Sequence, residues 1–383
     1  MFPRLISDTP RSRPYQARKT RQHSLTVQLT RPDELGPAEV ATWHSMQRAT
    51  PSLTDPFLSP EFAQAVGRFR PDAHVAVLAD GQSITGFFPF ERRRFDVGTP
   101  IGGWQSLSQG LIHAAGAEWD PRELLRRCRL AAWQFDCLVV GQQPFEPYQT
   151  ALAAVPAIDL SDGFDAYYAR LQARSPRFCK ELDRKARKFG REVGELRTVA
   201  DSRDIDMLRT MMTWKSDQYR RTGHVDIFKH PWHVGLLYDL MDIRSDHLSG
   251  TLSILYAGDQ PAAIQFGLRA GNLLLGWFTA YNTRFSKYSP GLIFIKKMAE
   301  EFASSGIHMV YMGRGKSSYK ESMKSHDVFV GEGIVTRRSA LGVSHRVRSS
   351  STRWVADAVR RHPELHDAAS RIRHLLRLAH GRI

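Results

Sequence analysis

The segment from Asn272 to Lys324 holds residue types and spacings that could do chemistry. Ser289 and Pro290 suit the N-cap and first position of a helix. An apolar stripe at Ile295, Met298, Ala299 and Phe302 follows, and Gly306 stops it. The start of that helix, Ser289-Pro290-Gly291-Leu292, would present backbone N–H groups and the positive end of the helix dipole. Such an end binds phosphate, and Gly291 has no side chain to hold a ligand away. After the next strand, Gly313 and Gly315 bend the chain, and Arg314, Lys316 and Lys320 add positive charge. A second group lies at His224 and Asp226, in a glycine-containing loop. An imidazole titrating near neutrality is suited to take a proton from an acceptor. Trp214, Lys215 and Tyr219, on the helix before that loop, are candidate acceptor contacts. His230 and His233 flank Pro231 with no third ligand at a metal-type spacing, so no metal is expected. There is no G-x-S-x-G elbow, no P-loop and no dinucleotide fingerprint.

The elements that must position these residues are legible in outline. LSILYA at 252–257, a turn at 258–261, AAIQFGL at 262–268, a turn around Gly271 and LLLGWFTAY at 273–281 read as three successive strands. With the helix after Pro290 and the strand IHMVYM at 307–312, the last of them forms a βαβ unit with a parallel pair. The first half uses the same grammar. Pro60 opens the helix EFAQAVGRF, Pro71 stops it, and HVAVLA and ITGFFPF follow around an Asp80-Gly81 turn. The recurrence points to duplicated α/β domains. Between the halves runs FDAYYARLQARSPRFCKELDRKARKFGREVG, one long helical pattern with nine basic and two acidic residues from Arg170 to Arg191. It reads either as a solvated connecting helix or as a basic face toward an anionic substrate or lipid surface.

The 383 residues suffice for two domains with real cores, and 42% hydrophobic and 10% aromatic content excludes a disordered chain. The formal net charge of +15 is concentrated at the ends: +5 over residues 1–24 and +8 over 337–383, which leaves +2 for the body. The N-terminus has no apolar core of a secretory signal, and no stretch reaches the roughly 20 apolar residues of a spanning helix. Three cysteines, Cys128, Cys137 and Cys179, without metal-type spacing read as buried or incidental thiols of a reducing compartment. The expected location is the cytoplasm, peripheral to the inner membrane. Beyond Arg337, apolar patches at Trp354, Val355, Ala358 and Val359 and at Leu365, Ala369, Ile372, Leu375 and Leu376 sit among arginines. They read as a basic amphipathic tail suited to peripheral membrane or protein-complex contact.

The strings KYSPG (287–291) and GRGKSSYK (313–320), with Tyr281 before them, resemble the GNAT acetyltransferase superfamily, in particular its CelD-like branch, linked to cellulose biosynthesis. DPFLSPEFAQAV (55–66), ITGFFPFE (84–91), GTPIGGWQSLSQGLI (98–112) and the basic helix are similar to the first half and linker of the same branch. The resemblance covers about residues 40–336. It implies an α/β (α+β) fold of two GNAT-type domains, each a mixed twisted sheet flanked by helices, joined by the basic helix. The expected organisation is a basic disordered tail (1–24), a first GNAT-like domain (25–160), the basic linker helix (161–198), a second GNAT domain with the acyl-CoA site (199–336) and the basic tail (337–383).

The implied activity is CoA-dependent transfer of an acetyl group to an amine or hydroxyl of a cell-envelope or exopolysaccharide-related acceptor. Acetyl-CoA would be the donor and no metal would be needed. In that reading Lys287, Tyr288, Ser289, Pro290, Gly291 and Leu292 hold the CoA pyrophosphate, with Arg314 and Lys320 close by. The strand ending at Trp277–Tyr281 holds the pantetheine arm, and Tyr319 protonates the departing thiolate. His224 and Asp226 act on the acceptor, which Trp214, Lys215 and Tyr219 contact. Nucleic acid is not an expected partner of this leading reading. Two alternatives stand beside it: an aminoacyl-tRNA-dependent peptidyltransferase, whose basic helix would touch tRNA, and a non-catalytic scaffold in polysaccharide synthesis.

Overall fold

The computed structural model describes residues 25–315 and 317–337. The basic tail of residues 1–24, the tail beyond Arg337, and Lys316 lie outside the described residues. The first half runs β1 (Leu25–Thr30), α1 (Pro37–Ala49), α2 (Pro60–Phe69), β2 (Ala73–Asp80), β3 (Ser83–Arg93), β4 (Val97–Pro100), β5 (Ile112–His113), α3 (Pro121–Arg127), β6 (Ala132–Leu138) and β7 (Gln149–Asp159). The helices α4 (Gly163–Arg174) and α5 (Pro176–Glu192) follow. Then come β8 (Leu196–Val199), α6 (Ile205–Arg221), α7 (Pro231–Asp242), β9 (Ser249–Ala257), β10 (Gln260–Ala270), β11 (Leu273–Tyr281), α8 (Pro290–Ser304), β12 (Met309–Tyr311), α9 (Ser318–Met323) and β13 (His326–Thr336).

Local signals set many of these boundaries. Ser59 accepts the Phe62 N–H and Pro60 takes the first position of α2, so that helix begins where the sequence places it. The single long helix expected over the basic segment is instead two. Pro176 cannot donate to the preceding turn, so α4 ends at Arg174 and α5 starts afresh after Ser175.

The strands join one mixed sheet in the order β1-β2-β3-β4-β6-β13-β7-β12-β11-β10-β9-β8, with β5 added beside β3. The repeat seen in the sequence is present in the topology. Antiparallel β1-β2-β3-β4 with β6 parallel to β4 corresponds to antiparallel β8-β9-β10-β11 with β12 parallel to β11. The closing strands are exchanged. The last strand of the chain, β13, lies between β6 and β7, while β7 pairs with β12 of the second half. One face of the sheet carries α1, α2, α6 and α7 over a core that includes Trp43, Phe87, Leu236 and Phe278. On the other face, α4, α5 and α8 pack over the second half and α3 over the first. Among the described residues no helix is long and apolar enough to cross a membrane.

Candidate active site

The site begins with a break in pairing. β11 and β12 run parallel only over Leu273–Leu275 and Met309–Tyr311, and β11 then continues to Tyr281 paired with β10 on its other edge alone. The break follows from a β-bulge: Phe266 pairs with Phe278 and Gly267 with Gly276, so Trp277 is an extra residue on β11. A bulge bends its strand and increases the local twist, which turns β11 away from β12 and leaves its outer edge without a partner strand. Trp277 is fixed by an Nε1–H donated to the Gln105 carbonyl at 3.0 Å and by edge packing on Phe57.

The helix after β11 starts at this gap. Sequence reasoning expects Ser289 to cap α8, and the structure corrects this. A 3-10 turn over Thr283–Tyr288 delivers Ser289 in the left-handed conformation (φ 59°, ψ 56°), which turns its hydroxyl away from the helix amides. The Oγ instead accepts the Lys185 ammonium from α5 at 3.0 Å. Pro290 has no N–H, and the Leu292 N–H is spent on the Ser289 carbonyl, so the Gly291 amide carries the free donor of the first turn. A Cβ placed on Gly291 would meet nothing closer than the Tyr281 ring at 3.8 Å, so the space before it is open. The topological counterpart, α3, is closed to anions: Asp120 caps it by accepting the Glu123 N–H, and Glu123 stands in its first turn.

Between the bulge and α8 lies a cavity of about 560 Å³. It holds Tyr281 and Ser289–Leu292 at one end. At the other are Trp104, Gln105 and Leu107 of the first half and Lys215, Gln218 and Tyr219 of α6. No carboxylate lines it, yet two lysines do, Lys320 buried and Lys215 half-buried. The Lys320 ammonium donates to the Gly313 and Arg314 carbonyls at 2.8 and 3.0 Å. That of Lys215 donates to the Thr279 carbonyl and the Gln218 side-chain oxygen. Burial pushes Lys215 down to about 8; burial, and then the neighbouring charge of Lys215, do the same to Lys320. Such a lining attracts negative charge and suits the phosphates and developing oxyanion of a thioester donor. Tyr319 also lines the cavity, and burial raises its phenol above the ordinary range, which keeps it protonated.

The structure therefore brings Lys215, Tyr219, Trp277, Tyr281, Ser289, Pro290, Gly291, Leu292, Arg314, Tyr319 and Lys320 to one cavity. Arg314 is not free to hold phosphate, because its guanidinium binds Asp136 on β6 and Glu332 on β13. Five expected site residues lie elsewhere. His224 is exposed with its ring on the Thr222 hydroxyl, and the buried Asp226 caps the next turn while accepting from Ser216. Trp214 packs on the core. Tyr288 is buried against Phe189 and donates to Glu192, which also takes the exposed Lys287. The missed residues are Trp104, Gln105, Leu107, Gln218 and Lys185. A signal for the first three was present: a tryptophan behind the pair Gly102-Gly103, both at positive φ, in a stretch otherwise poor in core patterning. Among the described residues no group of three or more His, Cys, Asp or Glu is placed to hold a metal.

Parallel strands that splay at a bulge, with a helix N-terminus facing the gap, frame this cavity on a mixed α/β fold. Residues 176–321 match the family described as Acetyltransferase (GNAT) domain, so this part of the chain is a GNAT acetyltransferase-like domain. The solved structures it resembles include the C-terminal domain of a putative lysylphosphatidylglycerol synthetase from Agrobacterium fabrum (10% identity, TM-score 0.48, covering 80% of this chain and 96% of that one). Others are FemX (10%, 0.49, 76% and 94%) and a tandem GNAT protein from the clavulanic acid biosynthesis pathway (11%, 0.44, 82% and 98%). No curated protein matches the chain.

Proposed function

We propose that the protein is a CoA-dependent acyltransferase that binds acetyl-CoA in the cavity between β11 and α8. The observation that carries this reading is the uncapped α8 N-terminus facing the splayed edge of β11, over a lining with two lysines and no acid. Acetyl-CoA supplies an acyl group on a thioester. The Gly291 amide, the α8 dipole and Lys185 receive its diphosphate, and the free edge of β11 over Gly276–Tyr281 offers backbone hydrogen bonds to the pantetheine arm. Lys320 stabilises negative charge on the reacting oxygen, and Tyr319 donates a proton to the departing sulfur. The α6 residues Lys215, Gln218 and Tyr219, with Trp104 and Gln105, form the far wall of this cavity.

The resemblance of KYSPG and GRGKSSYK to the CelD-like branch supports an amine or hydroxyl acceptor in cell-envelope or exopolysaccharide synthesis. The basic tail beyond Arg337 would keep the protein at the cytoplasmic side of the inner membrane. Titration calorimetry with acetyl-CoA tests the donor: binding is expected in the micromolar range that is ordinary for such substrates, and its absence rejects the reading. A second reading, transfer from aminoacyl-tRNA, draws on α5, where Lys185 reaches the site and Arg184 and Arg187 stand exposed on the same helix. In that case aminoacyl-tRNA binds where acetyl-CoA does not, and its affinity falls steeply with salt.

A further inference from the structure

A second cavity, of about 110 Å³, shares Leu107, Gly313 and Arg314 with the first. It lies on the opposite face of the sheet from α8. Leu273, Leu275 and Tyr311 line it, whereas the intervening Leu274 and the adjacent Val310 pack with α8. Its walls are mostly apolar, with Ser52, Thr54 and Ser108 among them, and Val140 and Phe329, 52% and 49% exposed, line it from the surface. A single acid, Asp55, reaches it.

Asp55 is 6% exposed. One carboxylate oxygen accepts the Phe57 N–H at 3.0 Å and the other accepts the Ser108 hydroxyl at 2.6 Å. Each oxygen keeps a further lone pair. The other buried carboxylates among the described residues have cations beside them: Glu91 has Arg70 and Arg93, and Asp226 has Arg220. Asp55 has no ion-pair partner there, since Arg314, the one cation lining the cavity, is held by Asp136 and Glu332. A buried carboxylate with no cation is costly, and apolar walls around it complement an ammonium on a hydrocarbon stem.

We propose that this second cavity binds the acceptor as a primary alkylammonium, held by Asp55 across the Gly313–Arg314 loop from the acyl donor. The proposal rests on the first cavity being the donor site. A volume of this size takes roughly four water-sized groups, enough for an amine and a few methylenes. The acceptor class is therefore an aminoalkyl chain end. In the transfer, Asp55 takes one proton from the ammonium, and the freed lone pair forms the C–N bond as the C–S bond breaks. The second nitrogen proton ends on sulfur through Tyr319, so an ammonium and a thioester give an amide, a thiol and one proton released from Asp55.

The test is a calorimetric titration of the full chain, saturated with CoA, with n-butylamine and with the equally large n-butanol. Wild type, Asp55→Asn and Val140→Trp are compared. Butylamine is expected to bind at least about tenfold more tightly than butanol, a difference of one decade in Kd. Asp55→Asn, which keeps the side-chain volume, should erase that preference, and Val140→Trp, at an exposed position, should weaken both ligands. CoA binding should be unchanged in both variants. Equal affinity for the two probes, binding of neither, or a preference that survives in Asp55→Asn overturns the proposal. If wild type takes up no CoA, the donor reading fails instead, and the same titrations on the free protein still decide the second cavity.

Discussion

Asp55 and Lys320 are buried and Lys215 is half-buried, no opposite charge offsets any of them, and all three line the paired cavities. Folding alone does not favour this, so each should reveal itself in stability or pH dependence. Burial pushes the Asp55 carboxyl from 3.8 to about 6, against the hydrogen bonds from Ser108 and Phe57 that lower it. A raised carboxyl favours the folded state fully below its unfolded pKa and loses that contribution as pH rises through about 6. Asp55→Asn should therefore stabilise the protein by on the order of 2–3 kcal/mol above the folded pKa and by almost nothing in acid, read as urea midpoints at the two pH values. An Asp55→Asn protein less stable at neutral pH would assign the residue to capping alone. Lys215 and Lys320 titrate near 8 and are cationic below it. Acetyl-CoA affinity is expected to fall as pH rises through that value. Lys320→Met should bind more weakly, with a flatter profile, and an unchanged profile would remove Lys320 from the donor site.

At the scale of elements, the bulge at Trp277 and the left-handed Ser289 do most to shape the site. Neither was legible in the sequence, whereas the elements that carry them were. LLLGWFTAY, the Ser-Pro start and the Gly306 stop are local signals, and β11, α8 and β12 lie where those signals place them. The bulge depends on pairing with β10, and the lost cap depends on the turn before Ser289 and on Lys185 from another helix, so both are long-range facts. His224 and Asp226 have suitable chemistry in a glycine loop, but only tertiary structure shows that the loop folds away from the cavity. Gly291→Asp adds a negative group before the free amide in open space. It should abolish acetyl-CoA binding with little change in thermal midpoint; retained binding would place the diphosphate elsewhere. Tyr319→Phe is expected to slow turnover about 10²-fold or more while sparing acetyl-CoA affinity, in keeping with the loss of one general acid. Undiminished turnover would exclude it as the proton donor.

For the whole molecule, the exchange of β7 and β13 governs how the halves depend on one another. The duplicated order of strands was readable from recurring turns and apolar runs, but the exchange was not, because strand pairing across the halves leaves no local trace. A chain ending before His326 lacks the strand between β6 and β7 and loses the Glu332 partner of Arg314. It is expected to lose the cooperative transition of both halves in calorimetry; a remaining sharp transition for the first half would show that β13 is dispensable there. The formal charge of +15 is mostly terminal, so the site's own field comes from a few placed groups: Lys185, Lys215, Lys320 and the α8 dipole.

The most direct test of the donor site is titration calorimetry with acetyl-CoA on wild type, Gly291→Asp, Lys320→Met and His224→Ala. Binding on the order of micromolar is expected for wild type and His224→Ala, at least about tenfold weaker binding for Lys320→Met, and none for Gly291→Asp. Wild type that fails to bind, or Gly291→Asp that binds as wild type does, would contradict that donor site.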